Sequence, residues 1–404
     1  MEPKFRNQTL PLSGITVLAV EQYGAGPFGS SYLADLGANV IKIENHLDGG
    51  DVGRSVGPHF FSEHDSHFFQ TFNRNKKSIT LNLKHPEGKK VFSELVKTAD
   101  AVLDNLRGDK PEKLELTYAD LKAVNPQIVC THLSAYGRDG PRKTWPGYDY
   151  LMQAEAGHMS LTGEPDGPPV RYGLSIVDLM TGLAAAFGLL SGVIGARETG
   201  VGMDVDTSLF DVALHNLNYP GTWYLNKSIS TGRTTRSSHP SLTPSQLYRT
   251  QDGWIFLMCN KEKFWAVLCD ALGHPEWKTD PRFVDFPARL KNRDQVTLML
   301  DQELMKKTTD NWMQILGGSV PASPVNDIAQ ALNNTYLTER ACLAEFKYPD
   351  GRIAKMIRSP IRLQGKDLPL HAAPSMGEHT VEILEKSGFT AIQIEKLKSL
   401  GVIA

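Results

Sequence analysis

Two places in the chain carry residue types whose spacing can do chemistry. Gly24-Ala25-Gly26-Pro27-Phe28-Gly29 matches G-x-G-x-x-G, and Glu44 follows at about the distance of a ribose-binding acid. Together they would describe a nicotinamide-dependent oxidoreductase. The second place is Asp178, at the head of the uncharged run Leu179–Ala196. A carboxylate there meets the positive end of a helix dipole. Taken alone, Asp178 reads most simply as a helix cap.

The elements around the glycines argue against the first reading. A dinucleotide fingerprint puts its first glycine at the end of the strand, so that the next helix points its amides at pyrophosphate. Here the predicted strand is Ile15–Val20, and Glu21, Gln22 and Tyr23 intervene before Gly24. Pro27 suits a first helical turn, where its missing N–H would be unpaired anyway. The motif therefore reads as a glycine-rich turn opening a helix, with backbone amides near Gly24–Gly26 able to approach a ligand.

Strand-like and helix-like runs alternate through the first half. Strands are predicted over Ile15–Val20, Asn39–Glu44, Ser78–Leu83, Ala101–Leu106 and Ile128–Leu133, and helices over Phe28–Leu36, Glu87–Thr98 and Leu116–Val124. This alternation implies an α/β fold, a parallel sheet with covering helices. Periodicity breaks over Thr222–Pro244, a polar linker or active-site loop, and a strand (Gly253–Cys259) and a helix (Glu262–Leu272) open a smaller second domain. The tail reads as two short helices.

A net charge of −2, with no block of like charge, points neither to nucleic acid nor to an anionic membrane. Cys130, Cys259, Cys269 and Cys342 form no C-x-x-C pair, so a metal site or disulfide framework is not expected, and a reducing compartment is. The N-terminal residues lack the apolar core of a signal peptide. Leu179–Ala196, with Gly188 and Gly192 permitting close contact, reads as a buried helix of a soluble protein.

Longer stretches carry a resemblance. "AGPFGSSYLADLGANVIKIE", "NRNKKSITLNLKHPEGKKVFSELVKTADAVLDNL", "PDGPPVRYGLSIVDLMTGLAAAFGLL", the run Gly317–Asp327 and the closing "GEHTVEIL" resemble, in order, the blocks of class III CoA-transferases. That family also contains the 2-methylacyl-CoA racemases. The resemblance implies a Rossmann-like large domain built from both chain ends, a smaller middle α+β domain and an interlocked homodimer. The corresponding boundaries are 1–221, 222–330 and 331–404. It implies a cytoplasmic enzyme that uses a coenzyme A thioester as substrate, with no permanently bound cofactor and no metal.

The resemblance also assigns residues. Asp178 aligns with the catalytic aspartate, which attacks the thioester and passes through an anhydride and an aspartyl-CoA thioester. Gly24 and Ala25 match backbone near the pantetheine end. Lys84, Asn105 and Lys113, with Leu81, Asn82 and Leu83, match CoA contacts, and Asn45 stands where some relatives place an arginine. Racemases carry Gly-His-Asp where this chain has Gly147-Tyr148-Asp149, and tyrosine is a poor neutral-pH base. Tyr148 and Asp149 are therefore expected to line a transferase site. Alternatively, Tyr148 only packs and Asp149 only caps the following helix. The loop lacks the glycine run of the oxalate enzyme and supplies Arg233, Arg236 and His239. These either bind a second carboxylate of the substrate or form a solvated basic loop. The expected reaction moves CoA from an acyl-CoA to a carboxylic acid, a short dicarboxylate such as succinate or mesaconate on at least one side. A 2-methylacyl-CoA racemase and a non-catalytic CoA-binding protein are the alternatives.

Overall fold

The computed structural model describes residues 10–348, 351–364 and 367–404. The chain divides into two compact units. One contains the residues up to Ala156, Gly173–Asn216 and Thr338–Ala404; the other contains Gly157–Tyr172 and Leu217–Leu337. The sequence-based limits at 221 and 331 thus fall a few residues from these divisions, and they miss the excursion Gly157–Tyr172.

The first unit is built on six parallel strands: β1 Thr16–Val20, β2 Asn39–Glu44, β3 Lys77–Thr80, β4 Ala101–Asp104, β5 Val129–Ser134 and β6 Met203–Ser208. Their order across the sheet is β3-β2-β1-β4-β5-β6. The central strands are buried on both faces, as their near-continuous apolar runs require. On one face Val17, Ala19, Leu103 and Val129 meet Leu33 of helix α1 (Ala25–Asp35). Leu189 and Val193 of helix α4 (Ile176–Thr199) join the same core. Helix α2 (Pro86–Val96) covers the other face with Phe92 and Leu95, where Leu384 and Leu397 also enter. Asn82 N–H donates to the Val402 carbonyl at 2.8 Å, so the chain end is tied into this unit.

The uncharged run forms α4, long and apolar enough to cross a membrane by length and composition. The buried helix expected from it buries one face within this chain. Val177, Thr181, Ala185, Leu189 and Val193 face the core, while Phe187 and Ile194 stand 75% and 68% exposed.

In the second unit, Trp254–Met258 pairs antiparallel with both Ser245–Arg249 and Ala322–Pro324. Tyr248, Ile255, Trp265, Leu268, Leu300 and Trp312 form its core.

Candidate active site

The order of the strands creates the site. The chain leaves β1 toward β2 and leaves β4 toward β5, in opposite directions across the sheet. A crevice opens beyond the carboxyl ends of strands that diverge in this way. Gln22 follows β1 and Asn105 follows β4, and they clamp one another. The Gln22 N–H donates to Asn105 Oδ1 at 2.9 Å, and Asn105 Nδ2 donates to the Gln22 carbonyl at 2.7 Å. Two pockets adjoin along this clamp, with Gln22 and Leu106 lining both. Asn45, Leu81, Asn82, Leu83 and Lys84 line the first; Gly24, Ala25, Asn105, Tyr148 and Asp178 line the second.

Two glycines bring Asp178 to its place. A Cβ at Gly29 would lie 2.2 Å from the Gly182 carbonyl oxygen, and one at Gly182 would lie 2.3 Å from that of Ala25. Only glycine permits so close a crossing of α1 and α4. The last glycine of G-x-G-x-x-G thus serves helix packing. Asp178, one turn before Gly182, is pressed against the head of α1, where a Cβ on Gly24 would lie 3.0 Å from Asp178 Oδ2. Gly24 caps α1 without a side chain, so the first-turn amides remain available to a ligand.

Asp178 is 8% exposed. Burial, reinforced by the negative charge of Asp149, pushes its carboxyl up to about 7. Among the described residues no hydrogen bond or ion pair reaches the Asp178 carboxylate. Asp149, at the start of helix α3 (Asp149–Glu155), is satisfied instead. Its Oδ2 accepts the Asp178 backbone N–H at 2.9 Å, and its Oδ1 accepts from Gln153 Nε2 at 2.5 Å. Asp149 therefore lies buried behind Asp178 and does not line the pocket, as had been expected of it.

The turn between β1 and α1 rests on buried charge. Tyr23 adopts a positive φ of 67°, and its N–H donates to Asp51 Oδ1 at 2.8 Å. Lys42 pairs with Asp51 at 2.7 Å and Lys76 with Glu21 at 2.8 Å, all four side chains fully buried. Glu44 belongs to the same layer. Burial would push its carboxyl up, but Arg54 at 2.6 Å, with help from Lys42 and Ser78, brings it down to about 2. Its oxygens are occupied by Arg54, Ser78 and the Asp51 N–H, so Glu44 is not poised for a ribose. Gly29 and Glu44 thus serve packing and charge pairing, while Gly24 and Ala25 line the pocket.

The remaining candidates divide. Lys84 is exposed and pairs with Asp48 at 3.3 Å, and Asn45 Nδ2 donates to the same Asp48 at 2.6 Å. Lys113 binds Asp109 at 2.6 Å and does not line either pocket. Tyr148 is 65% exposed and meets Tyr23 edge to face with ring centroids 6.4 Å apart. Arg233, Arg236 and His239 belong to the second unit and line neither pocket. Arg233 donates to the carbonyls of Gly167 and Pro168, and Arg236 pairs with Asp301 at 2.6 Å. His239 lies 3.4 Å from the Tyr219 hydroxyl, and burial, then Arg293, pull its imidazole below the usual range. Sequence reasoning missed Gln22, Leu106 and Arg107. Their signal was position: Gln22 lies two residues beyond the predicted strand Ile15–Val20, Leu106 ends the predicted strand Ala101–Leu106, and Arg107 directly follows it.

A model of CoA-transferase family III matches residues 12–380. A Fusarium pseudograminearum acyl-CoA transferase is 36% identical, over 97% of this chain and 88% of its own length. An Agrobacterium fabrum succinate–glutarate CoA-transferase is 32% identical, over 94% of this chain and 96% of its own. The crystal structure of a CAIB/BAIF family protein from Brucella suis superposes with a TM-score of 0.80 at 32% identity, covering 94% of this chain and 100% of that one.

Proposed function

The chain belongs to CoA-transferase family III and is a CoA-transferase, and we propose that it moves CoA between short dicarboxylic acids through covalent intermediates on Asp178. The observation that carries this reading is a buried carboxylate, without a partner among the described residues, held against the uncapped head of helix α1 in a two-chambered crevice.

The proposed steps run as a double displacement on Asp178. An Asp178 oxygen attacks the thioester carbonyl, and the backbone N–H of Ala25, which lines the same pocket, is a donor for the developing oxyanion. The C–S bond breaks, leaving CoA thiolate and an aspartyl anhydride. The thiolate then attacks the aspartyl carbonyl and releases the donor carboxylate, giving an aspartyl-CoA thioester. The acceptor carboxylate attacks that thioester, the thiolate leaves, and a second anhydride forms. The thiolate finally attacks the acceptor acyl carbon and returns Asp178 as a carboxylate. Poor solvation makes Asp178 more reactive once ionised, because little water must be stripped from it.

The pocket beyond Gln22 and Leu106 suits the rest of CoA: apolar Leu81 and Leu83 along the wall, with Lys84 and Asn45 toward the phosphates. The dicarboxylate class draws on the succinate–glutarate relative. An interlocked homodimer in the cytoplasm belongs to the same proposal. Exposed Phe187, Ile194 and Leu225 are apolar surface of the kind a partner subunit covers.

The test is direct. Incubation with succinyl-CoA should leave a mass adduct on Asp178, and a panel of carboxylic acids should yield new thioesters. Asp178→Ala should still bind CoA, form no adduct and transfer nothing. Near-normal turnover in that variant would falsify the covalent role. Deuterium exchange at the α-carbon of a 2-methylacyl-CoA, without an acceptor acid, would instead favour racemase chemistry.

A further inference from the structure

A dicarboxylate that offers one end to Asp178 has a second charge to be met, because burying an anion unpaired is costly. Arg233 and Arg236 belong to the second unit and line neither pocket. Among the residues lining the Asp178 pocket, Arg107 alone carries a positive charge.

Arg107 is pre-oriented. Its Nε donates to Asp109 Oδ1 at 2.5 Å and its Nη2 to Asp109 Oδ2 at 3.1 Å, so one edge of the guanidinium is fixed. Asp109 is only 6% exposed and is also held by Lys113 at 2.6 Å. The intervening Gly108 lies so close to neighbouring backbone that a Cβ there would sit 2.1 Å from the Gly137 carbonyl oxygen. The turn therefore cannot shift without moving that segment. A guanidinium has five N–H donors in a planar fork. Asp109 takes two; the Nη1 edge has no protein acceptor among the described residues, and the side chain is 40% exposed.

We propose that Arg107 selects the substrate: its free edge receives the carboxylate that does not react, in the donor and in the acceptor alike. Asp109 is its positioning residue, and Lys113 leaves the three-residue cluster with a net positive charge. This inference rests on the reading of Asp178 as the nucleophile and of short dicarboxylates as substrates. A guanidinium edge lining the same pocket favours an acid that brings a second carboxylate to it over one that leaves it to water.

The test is a competition. Glutarate and pentanoate, acids of equal chain length, compete for limiting succinyl-CoA, and the ratio of glutaryl-CoA to pentanoyl-CoA is read by mass spectrometry. That ratio reports the quotient of the two kcat/KM values and does not depend on how much of a variant is folded. The wild type should favour glutarate. Arg107→Ala and Arg107→Gln should lower the ratio by about 10- to 100-fold, and Arg107→Lys should fall between, since it keeps charge but loses the fork. A wild type without preference for glutarate overturns the dicarboxylate reading and this inference with it. A wild-type preference that persists in Arg107→Ala overturns the role of Arg107 alone. Weakened CoA binding with an unchanged ratio does the same, and reassigns Arg107 to the CoA phosphates.

Discussion

Asp149 accepts the backbone N–H of Asp178 at 2.9 Å, so one carboxylate both ties down the first turn of α4 and sets a negative charge behind the other. The two acids are chemically alike and differently solvated. Asp149 has two protein donors, and among the described residues the Asp178 side chain has none. Neighbouring carboxyls in unequal surroundings take unequal roles. Here the satisfied one is structural and the unsatisfied one is reactive.

The first consequence is a pH dependence. Burial and then Asp149 hold Asp178 near 7, and the nucleophile must be ionised. Activity should therefore rise with pH through an acid limb near neutrality. Asp149→Asn removes the like charge while its amide oxygen can still accept the Asp178 N–H. The limb should move to lower pH and remain above 3.8, because burial, the larger cause, persists. A pH profile of kcat/KM for succinyl-CoA measures it; an unmoved limb in Asp149→Asn sinks the electrostatic role of Asp149.

A second consequence concerns stability. A carboxyl near 7 in the fold, against 3.8 in the unfolded chain, binds its proton more tightly when folded. Its favourable contribution is full below 3.8 and is lost as pH rises through 7. Ionised Asp178 therefore costs the free enzyme on the order of 2–4 kcal/mol above pH 8. Asp178→Asn should raise Tm at pH 8 and change it little at pH 4.5, at the expense of all transfer. Equal shifts at both pH values would mean that the gain is packing rather than charge.

Five strands of the parallel sheet were legible as short apolar or β-branched runs, whereas β6, MDVDTS, carries no such pattern and was not read; counting from Val20 placed Gly24 beyond a dinucleotide turn. The start of α1 at Ala25 was not legible, since Gly24–Gly26 has little intrinsic helical preference. The site was legible mainly through resemblance. Asp149 and Asp178 stand 29 residues apart, and Arg236 and Asp301 stand 65 apart; no local pattern announces either pair. Lys42, Lys76, Glu21 and Asp51 are of residue types mostly found at the surface. They are buried because each finds its counter-charge across the fold.

The crossing of α1 and α4 makes a third prediction. A Cβ at Gly182 would lie 2.3 Å from the Ala25 carbonyl oxygen, an atom of fixed backbone. Gly182→Ala should destabilise by about 1–3 kcal/mol and lower kcat by moving Asp178 away from Gly24. Gly195, in the same helix, has only an ordinary contact at 3.9 Å, with Met203. Gly195→Ala should be neutral or stabilising by about 0.5–1 kcal/mol. Urea midpoints and turnover of the two variants separate close packing from helical propensity. Comparable losses in both would show that the crossing is not special.

The last prediction concerns the far end of the crevice, where Asp48 holds both Lys84, at 3.3 Å, and Asn45 Nδ2, at 2.6 Å. If Lys84 and Asn45 face the CoA phosphates, Asp48 competes with the ligand for its own donors and adds repulsion. Lys84 and Asp48 are both largely exposed, so their pairing is weak and a phosphate can displace it. Asp48→Asn should then tighten CoA by about 2- to 5-fold at low salt, and the gain should shrink as salt is added, since exposed charges are screened. Lys84→Ala should weaken CoA by about 5- to 30-fold with the same salt trend, as the loss of a charge-assisted phosphate contact requires. Calorimetric titration of CoA and of dephospho-CoA, at two salt concentrations, distinguishes which phosphate is involved. A Lys84→Ala loss with CoA that disappears with dephospho-CoA assigns the 3′-phosphate to Lys84; the same loss with both assigns the pyrophosphate. Unchanged affinity in Lys84→Ala for both ligands would place the phosphates away from this pocket, and the tightening expected in Asp48→Asn would then be absent too.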